Sequence, residues 1–378
     1  MKRFLALLFC CLTLTACSPS VAQERQFLDL SVSFLGEVQL PKQEVEGTPV
    51  GGISGITFDR QTQKYYALSD DRSNLAPARF YTLSLDWPNP EQAPDAVIIE
   101  QVTTLKDANG AEFAPGSLDP EAIALSPRGS VFISSEGDVK HKIAPWIKEF
   151  DLATGQEHST VRLPARFLPE SPIREEDPPH GIQNNLAFES LTLNWTGLSA
   201  EDPFRLFTVP EAPLVQDRIP AESEENQGRL RLLHYVVNPV GDPVIVSENA
   251  YLLEPPPQLA LSHGLSELLA LDTEGYLLSL ERSFSLSGIT ARLFQVVAGN
   301  ATDTSRIAIL GGPLSTVTPL KKQLLLDLTD LEIYLDNLEA MTLGPQLPDG
   351  SRLLVLVSDD NFDKQQVTQF LFFRLAGV

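Results

Sequence analysis

Pro120-Glu121-Ala122-Ile123-Ala124-Leu125 decides the fold, because the chain repeats its pattern. The pattern is a polar lead, a carboxylate or Gly, a small residue and an apolar alternation. It returns as Ile53-Ser54-Gly55-Ile56-Thr57-Phe58, Phe188-Glu189-Ser190-Leu191-Thr192-Leu193, Ser266-Glu267-Leu268-Leu269-Ala270-Leu271 and Leu338-Glu339-Ala340-Met341-Thr342-Leu343. The marker positions 55, 121, 189, 267 and 339 lie 66, 68, 78 and 72 residues apart. Self-similarity at such a period is the signature of a repeat architecture. A second strand ending in acidic residues comes after each copy: Tyr65–Asp71, Val131–Asp138, Arg205–Glu211, Tyr276–Arg282 and Leu353–Asn361. In most units two more strands come next, in the first Ala78–Leu85 and Ala96–Leu105. Short apolar or alternating runs between Gly, Pro, Asn and Asp clusters read as strands. Four antiparallel strands per unit around an axis make a β-propeller. The fold class is therefore all-β.

The ends close the ring. The last unit lacks a fourth strand after Gln366–Leu375, and Phe27–Leu40 is a strand with no unit of its own. Pairing the two removes a free edge. The count favours five blades, with a sixth possible in Asp303–Asp336. The best helical candidate is a weak one, Asp327–Leu338.

Outward from the repeats, the N-terminus reads as an export signal. Lys2 and Arg3 precede an apolar run, Phe4–Leu14. The run is shorter than the ~20 residues a spanning helix needs, and it fits a signal h-region. Leu14-Thr15-Ala16-Cys17 resembles a bacterial lipobox, cleaved before Cys17 and lipidated there. The alternative is ordinary cleavage near Ala16. The expected organisation is a signal at 1–16, a lipidated tether at 17–26 and a propeller at 27–378. The protein is then exported, anchored to an envelope membrane by lipid alone, and expected as a monomer. The three cysteines, Cys10, Cys11 and Cys17, all fall in the signal and anchor. The mature domain has no thiol for a disulfide, a zinc site or a nucleophile.

The 50 acidic against 28 basic residues give a net charge of −22, or −24 once Lys2 and Arg3 are removed. That field repels nucleic acid and anionic lipid, and attracts cations. The Pro-rich stretches Pro169–Pro179 and Glu254–Pro257 read as surface loops. There is no Gly-x-Ser-x-Gly elbow, which argues against an α/β-hydrolase serine esterase. Ser54 lies between glycines at a strand start, where a tight turn explains it. His141, His158, His180, His234 and His263 show no metal-ligand spacing. Asp107-Ala108-Asn109-Gly110 fits half a calcium loop or a hairpin turn.

Several motifs together resemble one family. They are Gly51-Gly52-Ile53-Ser54-Gly55, Ser69-Asp70-Asp71-Arg72, Asp119-Pro120-Glu121, Ser135-Glu136-Gly137, Asn337-Leu338-Glu339 and Ser358-Asp359-Asp360-Asn361-Phe362. The chain is similar to the esterase-like activity of phytase family, a phytase-like domain of bacterial exported proteins, from about Leu35 to Phe373. The resemblance implies hydrolysis of phosphoesters or esters, with the repeated carboxylates as active groups. Ala122 and Ala340 stand where the family usually has Gly, and Ser266-Glu267-Leu268 departs further.

In a propeller the innermost strands line a central channel, so equivalent residues form a ring. Glu121, Glu189, Glu267 and Glu339 are expected there as catalytic carboxylates. The second-strand ends bring Asp70, Asp71, Glu136, Glu211, Glu281, Asp359 and Asp360 toward one mouth as expected metal ligands. Clustered carboxylates repel unless a cation joins them, and Ca²⁺ takes six to eight oxygens. Such a cation can polarise a phosphoryl oxygen and activate water. Arg72 and Arg282 lie beside the acidic ends and are expected to hold the phosphate, or to pair with the ring. A latch competes as an explanation: each Glu could accept backbone N–H bonds from the adjacent blade. The leading expectation is a calcium-assisted hydrolase of small phosphoesters. A non-catalytic binding propeller and a carboxyl ester or lactone hydrolase are the alternatives.

Overall fold

The computed structural model describes residues 27–169, 179–219, 227–312 and 314–378. The expected signal, Cys17 and most of the loop 169–179 lie outside these residues.

Five four-stranded antiparallel sheets surround one axis. From the axis outward, blade one is Ile53–Asp59, Lys64–Ser69, Arg79–Asp86 and Ala96–Thr104. Blade two is Pro120–Leu125, Ser130–Ser135, Trp146–Asp151 and Glu157–Val161. Blade three is Ser190–Asn194, Phe204–Val209, Arg229–Val237 and Val244–Leu252. Blade four is Ala260–Ala270, Tyr276–Ser285, Gly288–Val297 and Lys321–Asp327. Blade five is Asn337–Gln346, Arg352–Asp359 and Thr368–Ala376, completed by the N-terminal strand Ser31–Leu40. That closing strand pairs antiparallel from Ser31 opposite Ala376 to Leu40 opposite Thr368. A two-stranded ribbon, Gln43–Val45 with Thr48–Val50, leads into blade one.

The second strands are buried almost end to end, as in Ser130–Ser135 and Arg352–Asp359, because both faces of each blade are covered by neighbours. The core is accordingly divided into five clusters, one between each pair of adjacent blades. Tyr66, Leu68 and Phe80 meet Ile133 and Phe150 between blades one and two. Phe132 meets Phe188 and Phe204 between two and three. Phe207 and Leu230 meet Leu265 and Leu277 between three and four. Leu278 and Leu280 meet Leu354 and Leu356 between four and five. Ile53 and Tyr65 meet Val355 and Phe372 across the closure.

Two expectations are corrected. Asp303–Asp336 holds no sixth blade: it is a long connection and the outer strand of blade four. Asp327–Leu338 is not an α-helix. Asp327 caps a single 3-10 turn, Leu328–Leu331, by accepting the Thr329 N–H, and Glu332 ends it in the left-handed region at φ 55°. Two shape features place the site. Gly55 packs its bare Cα against blade two, where a Cβ would lie 2.9 Å from the Glu121 carbonyl oxygen and the Ala122 Cα. Gly52, at φ +60°, leaves room for Asp70, whose Oδ1 would lie 2.1 Å from a Cβ.

Candidate functional site: an acidic double ring

The inner strands break register where they enter the channel. In blade one Ile53 pairs with Ser69 and Gly55 with Leu68, so Ser54 drops out of the ladder. Blade four skips Ser266 between Leu265 and Glu267, and blade five skips Glu339 between Leu338 and Ala340. Blade two skips one of Glu121 and Ala122. In blade three the ladder begins at Ser190, one residue after Glu189. A bulge re-aims the side chain it carries. The structurally equivalent ring is therefore Ser54, Glu121, Glu189, Ser266 and Glu339. Glu267 is not a member; it stands one residue further along its strand.

The same registers define a second ring from the ends of the second strands: Asp70, Glu136, Glu211, Arg282 and Asp359. Blade four thus puts an arginine where the other four blades put a carboxylate. Arg282 donates to Glu339 Oε1 at 2.5 Å and lies 3.5 Å from Glu211 Oε1. Burial disfavours its charge, but Glu339, Glu189 and Glu211 outweigh that and hold its pKa above the ordinary value.

Seven carboxylates therefore share the double ring with one inward-facing cation. Burial, reinforced by neighbouring carboxylates, raises Asp70, Glu121, Glu136, Glu189 and Asp359 well above the usual range. Glu211 is raised by burial against the pull of Arg282, and its carboxyl bonds that of Glu189. Asp119, two residues before Glu121, joins from blade two. Burial pushes it up to about 6 against the pull of Arg72, and its carboxyl bonds Glu121. Asp119, Glu121 and Glu136 each place an oxygen within 4.8 Å of the other two.

This donor set fits a hard divalent cation. All its donors are oxygens, the natural ligands of Ca²⁺. Three buried oxygens in the rings, Asp70 Oδ1, Glu136 Oε2 and Glu189 Oε2, have no hydrogen-bond partner among the described residues. Buried polar atoms are nearly always satisfied, so such orphans point to an ion or water.

The other expected site residues separate from this cluster. Asp71 turns away: it accepts the N–H groups of Asn74 and Ala76 at 2.8 and 2.9 Å and pairs with Arg79 at 2.7 Å. Asp360 accepts the Gly52 and Phe362 N–H groups at 2.9 and 3.1 Å and pairs with Lys42. It ties the last blade to the first. Glu281 accepts the Tyr251 hydroxyl at 2.6 Å and the Glu254 N–H at 2.9 Å, and pairs with Lys322. Strand alternation sends it to the opposite side from Arg282. Arg72 sits at the rim, donating from Nε to Asp119 at 2.6 Å and from NH2 to Asn185 at 2.8 Å. Ser54 is buried in its bulge, and its hydroxyl donates to the Pro120 carbonyl at 3.3 Å. It is an inter-blade contact rather than a turn residue. Asp107 accepts the N–H groups of Asn109 and Ala111, both at 2.9 Å, which makes the turn.

Glu267 is a latch. Its carboxyl accepts the backbone N–H groups of Leu268, of Leu191 in blade three and of Met341 in blade five. It therefore joins three inner strands across the channel. Replacing it by Leu orphans those donors, each costing roughly 1–3 kcal/mol. Urea denaturation of Glu267→Leu in EDTA should show that loss. An unchanged midpoint would mean the carboxyl holds nothing together.

A further cavity of about 270 Å³ opens at the other end of the channel, lined by Ile56, Leu125, Leu193, Leu269, Met341 and Trp195 among others. No cluster of ionisable groups converges in it among the described residues, and its rim charges Arg60 and Asp272 pair with each other. The ionisable groups gather at the acidic end instead.

Sequence reasoning missed Asp119 and Asn337 as members of the site. Both precede a ring glutamate by two residues, and that shared offset was the available signal. Asn337 donates to Glu339 at 2.8 Å and accepts from Arg282.

Fold and site define a five-bladed propeller with a carboxylate-lined mouth. The chain belongs to the phytase-like family, described as esterase-like activity of phytase, which matches residues 48–362. The comparison with curated proteins found no match. Among solved structures it is similar to an endo-arabinase from Bacteroides thetaiotaomicron, at 12% identity and TM-score 0.40, covering 85% of this chain and 93% of that one. It is also similar to the catalytic domain of a Coprinopsis cinerea α-L-arabinofuranosidase, at 11% identity and TM-score 0.37, covering 92% and 97%. A calcium-binding regucalcin from Agrobacterium tumefaciens gives 12% identity and TM-score 0.36, covering 88% and 93%. The five-bladed architecture rests on this chain's own strand pairing.

Proposed function

We propose that the protein is a hydrolase of small phosphoesters that works with a divalent cation, calcium being the one its ligands suit. The carrying observation is the double ring: seven carboxylates, three orphaned buried oxygens and one inward arginine. Asp119, Glu121 and Glu136 would hold the cation, and Asp70 and Glu189 add their negative field at Glu121. A cation so held supplies Lewis-acid polarisation of a phosphoryl oxygen. Arg282 presents its guanidinium from inside the ring and Arg72 from the rim, so an anionic ester meets positive charge on two sides. The family's description favours esters of either acid, so carboxyl esters are the second substrate class to test.

The apo rings make a pH-dependent prediction. Carboxylates raised on folding bind protons that the unfolded chain does not, so apo stability falls as pH rises through their folded pKa values. Apo protein in EDTA should therefore melt higher at about pH 5.5 than at about pH 8. Calcium acts oppositely, because its ligands must be deprotonated. Millimolar calcium should raise the melting temperature at the higher pH, through a stabilisation of ~2.7 kcal/mol at a hundredfold excess over Kd. The increment should shrink at the lower pH. A calcium increment of zero at both values would remove the cation from the proposal.

A further inference from the structure

We propose that His141 is the proton donor to the leaving alcohol, oriented by Asp138, a role that rests on the phosphoester reading above. The dyad overhangs a hollow of about 450 Å³ beside the double ring, lined by Arg72, Asn74, Gly116, Asp138, His141 and Ile143. His141 Nδ1 lies 2.6 Å from Asp138 Oδ2. An ionised carboxylate only accepts, so Nδ1 carries a hydrogen and Nε2 is the nitrogen left to exchange a proton. Nε2 has no hydrogen-bond partner among the described residues, and the ring is 76% exposed. This is the arrangement in which a carboxylate fixes the tautomer and direction of a working imidazole.

The segment carrying the dyad is held in place. Asp138 and Ile143 exchange both backbone hydrogen bonds at 2.8 Å, closing a tight excursion with Lys142 at φ 62°. Gly137, at φ +70°, lets it fold back closely; a Cβ there would lie 2.4 Å from the Ile143 carbonyl oxygen. The Lys140 N–H donates to Asn184 of the next unit at 3.1 Å. Arg72 links dyad and ring: Nε donates to Asp119 at 2.6 Å, and NH1 lies 4.0 Å from Asp138 Oδ2. Arg72 is the shared wall: it touches Asp119 on the ring side and lines the hollow with His141 on the other, so the proposal requires a phosphoryl group held at the ring to present its ester oxygen on the Arg72 side.

The step balances. The water oxygen forms a bond to phosphorus and loses its proton to solvent. The bond from phosphorus to the ester oxygen breaks, and that oxygen keeps the electron pair. It takes the Nε2 proton from the imidazolium and leaves as the alcohol. The exposed ring is reprotonated from bulk water. No oxidant or reductant is needed.

The test compares leaving groups. Wild type, His141→Asn and Asp138→Asn are assayed in calcium on glycerol 2-phosphate, whose alkoxide needs a proton. They are also assayed on p-nitrophenyl phosphate, whose phenolate leaves without one. His141→Asn should lose ~10²–10⁴-fold in kcat on the alkyl ester, the usual worth of a general acid, and less than about tenfold on the aryl ester. Asp138→Asn should show the same selectivity at smaller size. His141→Asn should melt like wild type, since its ring is exposed. Equal losses on both esters, or none, would overturn the dyad's role while leaving the phosphoester reading intact. If wild type cleaves neither ester, the phosphoester reading fails, and the donor assignment falls with it.

Discussion

Arg282→Gln should unfold at least ~3–5 kcal/mol more easily than wild type in EDTA, the cost of removing one partner from a buried ion cluster. The arginine is the inward cation among Glu189, Glu211 and Glu339, and it also donates to Asn337. Gln keeps some hydrogen bonding but no charge. The carboxylates left behind must then take up protons or repel each other. Calcium offers them a replacement charge. The variant should therefore recover more stability from calcium than wild type does, although its anion site is lost. Urea denaturation with and without calcium checks both parts. Equal stability of variant and wild type in EDTA would mean that the rings are already protonated and that Arg282 neutralises nothing.

The architecture was legible because β-propeller repeats leave a strong trace. The small–apolar alternation after each marker survives in all five units, and the unpaired N-terminal strand found its place beside Thr368–Ala376. The site was legible only in part, and the reason is a single residue of register. A bulge adds one residue to one strand and flips the downstream side chains to the other face. Glu267 matches its counterparts by residue type, yet the bulge at Ser266 moves it out of the ring and into a latch. By the same shift, acidic Glu281 turns outward while Arg282 takes the ring position. Residue type is visible in sequence, but the hydrogen-bond ladder that aims it is not. Asp71 and Asp360 show a second limit. Each stands directly after a ring carboxylate, so their acidity looked like part of the same cluster. Their lone pairs are instead taken up by nearby N–H groups and by Arg79 and Lys42.

No composition or repeat signal pointed to the charged network around Arg231, away from the mouth. Arg231→Met should cost ~3–5 kcal/mol, because it leaves buried Asp217 without its cation and Glu248 with only Arg166, 3.5 Å away. Arg231 is fully buried in blade three. It donates from Nε and NH2 to Asp217 at 2.5 and 2.9 Å, and from NH1 to Glu248 at 2.5 Å. The same guanidinium donates to the Ile307 and Ala308 carbonyls at 3.0 and 3.2 Å. Those carbonyls belong to the long connection before the outer strand of blade four. Asp217 accepts the Leu310 N–H at 2.7 Å, and Arg166 donates to the Ile307 carbonyl at 3.0 Å. The arginine thus pins an insertion from one blade onto the next. Hydrogen exchange at 304–310 should accelerate in Arg231→Met before the strands of blade three lose protection. Arg231→Met with Asp217→Leu and Glu248→Leu should regain most of the stability, since a buried ion set replaced as a whole is often neutral. Recovery should fall short by the acceptors that the Leu310 N–H and the Thr304 hydroxyl lose. If the single variant melts like wild type, the insertion is held by its own turns and the charges are incidental. If the triple variant is worse than the single one, the carboxylates stabilise the connection directly, through those two donors, and the arginine merely balances their charge.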